Sequence, residues 1–252
     1  MKSLLLLILI FSSNLLAKDT VLAGWELWYP YQYHDQNNQL VGLDVESFDA
    51  ILKQAKIDYS ITELPWKRHL QMLKIGQMDI AMGASKTPER EKYASFSLPY
   101  RTEKVNLVVM RGTSNKIKLN SLDDLISSPY LIGVEGGYYY GENYQRLMTN
   151  QEFNSHISEV IDIEENVTML LAGHLDGFLV DPITLKAFIE KYQLVGKFEI
   201  HPLEIYQDNI YIMVGKKAAQ KGLLDKINRA IKYLKNKGKL AEIHQRWTLN
   251  NH

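Results

Sequence analysis

Two hydrophobic patterns alternate along the chain. Short apolar runs, such as residues 21–24 and 80–82, are typical of buried strands. Between them lie longer segments with apolar residues every three or four positions, typical of helices with one buried face. We expect Asp44 to cap the first such helix, and the alternation predicts an α/β protein. Further strands are expected at 57–64, 104–110, 130–134, 157–163 and 203–214, and further helices from Pro65 and at 121–125, 165–172, 223–234 and 240–247.

One pattern occurs twice, at residues 76–82 and 173–179. Each copy has a glycine that ends a helix, an aspartate three residues later, and then a short apolar strand. The repetition predicts two related α/β halves, each of which brings the end of one strand to a shared cleft. Strand 203–214 is expected to cross back from the second half to the first.

The segment 79–100 begins with the strand of the first copy. Gly83 and Ser85 interrupt the apolar run, so we expect the strand to end there and a loop to begin. Thr87 is predicted to cap a helix and Pro88 to occupy its first position, where a missing N–H group costs nothing. This corner then lies at the carboxyl end of a strand, where open α/β sheets bind their ligands.

Arg90 follows within the first turn of that predicted helix. A helix N-terminus favours anions, and a planar guanidinium can give a carboxylate two parallel hydrogen bonds. The competing interpretation is a surface ion pair between Arg90 and Glu89 or Glu91. The position just past a strand end favours ligand binding, and Gly83 and Ser85 share that position.

Aromatic residues are concentrated near two predicted strand ends. Five lie within residues 25–33, among them Trp28 and Tyr31, and the run stops at a proline and the polar segment 34–39. This predicts a loop whose rings wall or cover a binding site, rather than a buried strand. Trp66 stands at a helix start beside another strand end, and we predict it as a second wall instead of a core residue.

Two features of the second half also lie at predicted strand ends. Residues 135–138 form a glycine-rich turn, which brings backbone N–H groups close to a ligand. Their spacing does not match a dinucleotide or P-loop fingerprint, so a nucleotide site is rejected. Asp181 precedes Pro182, and it either caps the helix that begins there or faces the cleft, where a buried carboxylate needs a cationic partner.

Several of these residues belong to longer motifs. Residues 79–90 have the form D-x-A-x-x-x-S-x-T-x-x-R, F-S-L-P-Y follows at 96–100, and residues 238–247 have the form G-x-L-x-x-I-x-x-R-W. Over nearly its whole mature length the chain resembles the extracellular solute-binding proteins of the polar amino acid class, the periplasmic receptors of amino-acid transporters. The resemblance implies a type II periplasmic binding protein fold, with two α/β lobes that are joined by two crossing strands and close on a ligand. The expected lobes are 19–109 with 208–252, and the inserted segment 110–207.

The resemblance also implies roles for single residues. Ser85 and Arg90 are expected to hold the α-carboxylate of the ligand, and Asp181 its ammonium group. Trp28 and Trp66 are expected to contact the side chain of the ligand as aromatic walls.

Two positions depart from the pattern of the family. Tyr138 stands where relatives have a small hydroxyl residue, so the backbone contacts of the glycine turn are kept while the side-chain contacts differ. Trp25 stands where receptors for basic amino acids carry an acidic residue, which argues against a strongly cationic ligand, although Glu26 is adjacent.

Composition excludes several other classes. The chain has 252 residues, zero formal net charge and no basic run, so nothing indicates a nucleic-acid partner. Without cysteine there is no disulfide or thiolate chemistry, and seven scattered histidines do not indicate a metal site. We expect no cofactor. Residues 1–17 form a predicted signal peptide that ends at Ala17 and indicates export to the periplasm.

These features predict a monomeric periplasmic protein that captures a small zwitterion, an amino acid, for a membrane permease of the ABC type. Two alternatives stay open. In one, the same scaffold feeds a sensor protein. In the other, it is a dehydratase-like enzyme with Glu26, Glu135 or Asp181 as acid or base. No nucleophile elbow, metal set or histidine–carboxylate spacing favours catalysis, so we expect a binding protein and not an enzyme.

Overall fold

The computed structural model describes residues 20–249, so the predicted signal peptide at 1–17 lies outside the described residues. The strands are β1 (Val21–Trp25), β2 (Tyr33–His34), β3 (Leu40–Val41), β4 (Tyr59–Glu63), β5 (Ile80–Ser85), β6 (Ala94–Phe96), β7 (Arg101–Met110), β8 (Ile132–Glu135), β9 (Ile157–Val160), β10 (Gly177–Val180) and β11 (Phe198–Gly215). The helices are α1 (Leu43–Gln54), α2 (Trp66–Lys74), α3 (Pro88–Glu91), α4 (Glu142–Leu147), α5 (Gln151–Ser155), α6 (Ile163–Leu171), α7 (Pro182–Lys191), α8 (Lys216–Gln220), α9 (Leu223–Asn236) and α10 (Lys239–Leu249), with a 3₁₀ helix at Leu122–Ser127. None of the helices in the described range has both the length and the hydrophobicity of a membrane span.

One mixed sheet runs through both halves of the molecule, in the order β4-β1-β5-β11-β7-β10-β8-β9, with β6 paired to β11. β1 lies parallel to β4 and β5, and β8 lies parallel to β9 and β10. The long strands β7 and β11 run antiparallel to each other between these two groups. Each parallel group with its helices forms one α/β lobe, and β7 and β11 join the lobes. The predicted two-lobed fold with two crossing strands is therefore confirmed.

Each lobe has its own apolar core. In the first lobe, Phe48 of α1 and Ile231 of α9 belong to one buried cluster together with residues of β5 and β11. In the second, Phe153 of α5 and Phe178 of β10 are fully buried, and burial of each such side chain contributes about 1.5–3 kcal/mol. β7 packs in the second core from Val105 onward. Residues 105–109 were assigned to the first lobe, so this packing does not support that boundary, and the lobe boundaries stay a prediction.

Asp44 was expected to cap α1, and this prediction is wrong. Asp44 lies inside the helix, where its carboxylate is bonded to Arg101. The residue before the helix is Gly42, whose φ is 133°, and a Cβ atom there would lie 2.1 Å from the carbonyl oxygen of Tyr31. The backbone of the aromatic loop and the start of α1 therefore approach closely only because this residue is glycine.

The strand was expected to end at Gly83 and Ser85, and β5 continues through Gly83 and ends at Ser85. Gly83 has a φ of 71° and lies where the register between β5 and β11 shifts, so the sheet accommodates it as a bulge. The predicted start of the next helix is confirmed. Thr87 caps α3, and its hydroxyl accepts a hydrogen bond from the backbone N–H of Arg90 at 3.2 Å.

A candidate ligand-binding cleft between the lobes

Two small adjoining cavities lie where the lobes meet, each with a volume of about 20 Å³. The first, the Arg90 chamber, is lined by Glu26, Trp28, Gln32, Trp66, Met82, Gly83, Ser85, Arg90, Glu103, Tyr138 and Tyr139. The second, the Glu135 chamber, is lined by Trp28, Glu103, Val105, Glu135, Tyr138, Tyr139, Tyr140, Leu179, Val180 and Asp181. Each has room for about one water molecule, so the lobes are closed on each other in this structure.

A larger groove between the lobes leads toward both chambers. This interlobe groove has a volume of about 360 Å³ and is reached by Arg90, Glu135 and Tyr138. Lys67 of α2 and Glu159 of β9 form an ion pair from lobe to lobe in its wall. The groove is the open side of the cleft.

Arg90 is buried in the wall of its chamber, with 7% of its surface exposed. Its Nη1 donates a hydrogen bond to the carbonyl oxygen of Ser85 at 2.8 Å, and its Nη2 donates to that of Gly137 at 3.3 Å. The guanidinium carbon lies 5.5 Å from the ring centroid of Trp66. Arg90 thus connects the first lobe to the glycine turn of the second lobe.

The surface ion pair considered for Arg90 is absent. Glu89 pairs with Lys92, and Glu91 pairs with Lys86 at 2.9 Å. No carboxylate of residues 20–249 lies within ion-pair distance of Arg90, so both of its side-chain hydrogen bonds go to neutral oxygens. Burial without a counter-ion lowers the pKa of Arg90 from its ordinary value. A buried guanidinium without a counter-ion of its own can accept an anion.

Ser85, Gly83 and Trp66 lie in the same chamber as Arg90. Ser85 is buried there, with 6% of its surface exposed. The N–H of Gly83 donates to the hydroxyl of Tyr100 at 3.0 Å. The structure therefore brings together all four residues that the 79–90 motif and the second aromatic position predicted for this corner.

Trp28 and Tyr138 line both chambers and stand edge to face, with ring centroids 5.6 Å apart. The Tyr138 hydroxyl donates to Oε1 of Glu26 at 2.8 Å, and the backbone N–H of Trp66 donates to Oε2 at 2.7 Å. Burial raises the pKa of Glu26 to about 7, although both hydrogen bonds lower it. Tyr138, from the second lobe, and Trp28, from the first, form a partition between the chambers.

Asp181 lies in the Glu135 chamber and not in the Arg90 chamber. It also caps α7, because its Oδ1 accepts hydrogen bonds from the N–H groups of Ile183 at 3.0 Å and Thr184 at 2.9 Å. Asp181 therefore caps the helix and also lines the cleft. The Tyr31 hydroxyl donates to the same Oδ1 at 2.8 Å, and Tyr31 itself lines neither chamber. Tyr31 therefore positions the carboxylate of Asp181 from outside the chamber.

Two acidic residues of the cleft were not among the predicted ligand-binding residues. Glu135 is 8% exposed, and burial together with Glu26 and Asp181 raises its pKa to about 8. Burial also raises the pKa of Glu103 to about 7, against the opposite effect of Arg101, whose Nη1 lies 3.4 Å from it. A signal for Glu135 was present, since it is the last residue of β8 before the glycine turn. Glu103 lies inside a long strand, and nothing local marks it.

The argument from Trp25 does not hold in the structure. Trp25 is 5% exposed and belongs to the core of the first lobe, so it does not face the cleft. Its neighbour Glu26 does, because side chains of successive extended residues point to opposite sides. The departure at Trp25 therefore says nothing about the charge of a ligand.

A second buried arginine lies beside the cleft. Arg101 donates from Nε to Oδ1 of Asp44 at 2.7 Å and from Nη2 to Oδ2 at 2.9 Å. The hydroxyl of Tyr100 donates to the same Oδ1 at 2.7 Å. The guanidinium lies 4.2 Å from the ring centroid of Tyr31 and 5.3 Å from that of Trp28. We call Asp44, Tyr100, Arg101 and Tyr31 the Arg101 cluster, which holds the aromatic loop in place.

Two lobes joined by two crossing strands, with a buried charged site between them, define a hinge-type binding protein. The sequence agrees with this class, because the model of the bacterial extracellular solute-binding proteins, family 3, matches residues 22–250. The chain belongs to that family, whose members are solute-binding proteins that act outside the cytoplasm.

Named relatives are distant and cover most of the chain. The arginine-binding extracellular protein ArtP of Bacillus subtilis is 25% identical over 86% of this chain and 81% of its own. The L-cystine-binding protein TcyJ of Escherichia coli is 22% identical over 91% and 83%. The arginine-, lysine-, histidine-binding protein ArtJ of Geobacillus stearothermophilus has a similar structure, with a TM-score of 0.75, 23% identity and coverage of 92% and 96%. The structure of a histidine kinase sensor domain is also similar, with a TM-score of 0.77 and 18% identity. The match covers 91% of this chain and 96% of that domain.

Proposed function

We propose that this chain captures an α-amino acid between its lobes and delivers it to the permease of an ABC transporter. The observation that carries the proposal is Arg90, a buried guanidinium without a counter-ion among the described residues. The α-carboxylate of a ligand supplies the missing negative charge, and charge-assisted hydrogen bonds of this kind are among the strongest in proteins. The relatives named as arginine- and cystine-binding proteins support an amino acid as the ligand.

We assign the carboxylate to the Arg90 chamber, with Ser85, Gly83 and Trp66 beside it. The ammonium group is assigned to Asp181, which the Tyr31 hydroxyl and the start of α7 hold in place. Because Trp28 and Tyr138 separate these charges, a ligand that spans both chambers must displace that partition. Binding therefore includes opening of the lobes and closure around the ligand, as in other hinge proteins.

Catalysis is not part of this proposal, because two of the three candidate acids, Glu26 and Asp181, already have structural partners. Glu26 holds the N–H of Trp66 and the hydroxyl of Tyr138, and Asp181 caps a helix. Prephenate is the probe for the dehydratase alternative, and we expect its absorbance to stay unchanged during incubation with the protein. Turnover that Glu26→Gln removes would overturn this part of the proposal.

The partner is proposed to be a permease, and the protein a monomer. Cross-linking of the ligand-loaded protein to membranes of its own host is expected to capture an ABC permease, and size-exclusion chromatography with light scattering is expected to give the mass of one chain. Capture of a sensor kinase in place of a permease would favour the signalling alternative.

Isothermal titration with the common L-amino acids tests amino-acid binding itself. We expect saturable heat with at least one of them, and a loss of affinity of about 100-fold or more in Arg90→Ala, since a buried charge pair is worth several kcal/mol. Arg229→Ala, at an exposed position of α9, is the matched control and is expected to bind like the wild type. No heat with any amino acid, from a protein that melts cooperatively, would refute the proposal.

A further inference from the structure

The Glu135 chamber is acidic. Three carboxylates line it, those of Glu103, Glu135 and Asp181, and no lysine, arginine or histidine is among the residues of its wall. Glu26 lines the adjoining chamber and adds to the negative potential at Glu135. An amino acid without a charged side chain brings one positive and one negative charge, which leaves this excess of carboxylates in place.

The three carboxylates differ in the partners that the protein gives them. Asp181 accepts three hydrogen bonds at Oδ1, from Tyr31, Ile183 and Thr184. Glu103 has Arg101 at 3.4 Å. The carboxylate of Glu135 accepts no hydrogen bond and forms no ion pair with any residue of the described range, although it is 8% exposed.

The cationic side chains nearest to the Glu135 chamber already have other partners. Lys67 and Arg90 line the interlobe groove that Glu135 also reaches. Lys67 is paired with Glu159, and Arg90 is bonded to two backbone carbonyl oxygens. Arg101 is held by both oxygens of Asp44. A buried carboxylate costs free energy unless it is paired or protonated, so Glu135 needs either a proton or a cation from outside the protein.

An organic cation fits this chamber better than a metal ion does. No group of three or more histidine, cysteine, aspartate or glutamate side chains within residues 20–249 is arranged to hold a metal ion. Besides its carboxylates, the chamber wall is aromatic and aliphatic, and it includes Trp28, Tyr138, Tyr139 and Leu179. Aromatic faces beside carboxylates suit an ammonium or guanidinium group at the end of an alkyl chain.

We propose that Glu135 binds a positively charged group at the far end of the ligand side chain, which makes it the residue that selects a cationic amino acid. This inference rests on the proposed function, because it places the carboxylate of the ligand at Arg90. The alkyl chain then passes between the lobes where Trp28 and Tyr138 now touch. The distal cation lies beside Glu135 and Glu103, while Asp181 keeps the α-ammonium group.

Ligand binding is coupled to proton release under this proposal. The acidic groups that face Glu135 are Glu26 from the loop after β1, Glu103 from β7, Asp162 at the start of α6 and Asp181 at the end of β10. The hydroxyls of Tyr138, from the glycine turn, and Tyr140, just after it, are also near Glu135. These acidic neighbours and burial keep Glu135 protonated near neutral pH in the ligand-free protein. A ligand cation stabilises the ionised carboxylate of Glu135, so binding of the ligand releases a proton from Glu135. The affinity for the ligand therefore rises as the pH is raised from about 6 to about 8.5.

Matched pairs of ligands test the selection. Titration calorimetry is done with L-arginine and its uncharged counterpart L-citrulline, and with L-lysine and L-norleucine. We expect at least one cationic member to bind about tenfold or more tightly than its neutral counterpart. In Glu135→Gln, which is isosteric and already neutral, that preference is expected to fall below about threefold. Glu152→Gln, at an exposed position of α5 in the same lobe, is expected to keep it.

Proton release is the second readout. Titrations of the cationic ligand in phosphate and in Tris at one pH separate the heat of buffer ionisation from that of binding. The wild type is expected to release a measurable fraction of a proton and Glu135→Gln clearly less. Equal affinity for both members of each pair, or a preference unchanged in Glu135→Gln, overturns this inference. If neutral amino acids bind and Arg90→Ala abolishes their binding, amino-acid capture stands while cation selection fails.

Discussion

The Arg101 cluster and the corner around Arg90 contain equally buried guanidinium groups, each in a residue that is 7% exposed. Their surroundings differ. Arg101 has both oxygens of Asp44 at hydrogen-bond distance and lies between two aromatic rings. Arg90 has two neutral carbonyl oxygens and one ring.

The difference shows what each charge is for. In a buried ion pair with all its hydrogen bonds, each charge is already neutralised, so neither binds a ligand strongly. A buried charge without a counter-ion is unfavourable, and a ligand of opposite charge relieves that cost when it binds. Accordingly, Asp44 raises the pKa of Arg101, while burial lowers that of Arg90. Arg101 therefore belongs to the fold, and we propose that Arg90 belongs to the ligand-binding site.

The largest expected effect is on stability. Arg101→Ala leaves Asp44 buried without its partner, and we expect a loss of about 3–5 kcal/mol in the free energy of unfolding. Arg90→Ala removes a charge that has no counter-ion, so its expected change is about 1 kcal/mol or less. Urea unfolding followed by tryptophan fluorescence measures both. Equal losses in the two variants would remove the distinction between a structural and a ligand-binding arginine.

A second prediction concerns Glu135, the acidic counterpart of Arg90. Its folded pKa of about 8 lies above the ordinary value of 4.5, so its contribution to stability is greatest at low pH and is lost as the pH rises through this interval. The stability of the wild type minus that of Glu135→Gln should therefore fall by about 1–3 kcal/mol between about pH 5 and about pH 8.

The difference between the two proteins is the quantity to measure. His69, whose pKa burial lowers to about 4, gives stability that is lost as the pH falls below its ordinary value of 6.5. That contribution is present in both proteins and cancels. Melting temperatures across the pH range, converted to free energies, give the curve, and a flat difference would place Glu135 outside the closed cleft.

Gly83 gives the smallest of the three effects and lies between the two regions. At its φ of 71° a Cβ atom would stand 3.1 Å from Oδ2 of Asp44 and 3.1 Å from the Trp28 ring. We expect Gly83→Ala to cost about 1–2 kcal/mol, because the backbone conformation is unfavourable for alanine. Ligand affinity should fall as well, since Trp28 must move. An unchanged melting temperature would mean that the bulge relaxes at no cost.

Local chemistry explains which parts of this picture the sequence could predict. The cap at Thr87, the proline at Pro88 and the position of Arg90 depend on neighbours within four residues, and the alternating patterns of strands and helices are equally local. The repeated glycine–aspartate–strand pattern was enough to indicate two lobes and a shared cleft.

Pairings between distant residues explain what the sequence could not predict. Asp44 and Arg101 are 57 residues apart, and Glu26 and Tyr138 are 112 apart. Their meeting depends on sheet register and on the closure of the lobes, neither of which leaves a local signal. For the same reason Glu103 was missed, and the bulge at Gly83 within β5 was not predicted.

The counter-ion that Arg90 lacks is the centre of this account, and the most direct measurement compares a ligand with its own decarboxylated form. Titration calorimetry is done with the tightest-binding amino acid and the corresponding amine, for example L-arginine and agmatine, on the wild type and on Arg90→Ala. In the wild type the amine should bind about 100-fold more weakly, and in the variant the gap should shrink to about tenfold or less. An amine that binds the wild type as tightly as the amino acid does would contradict the account.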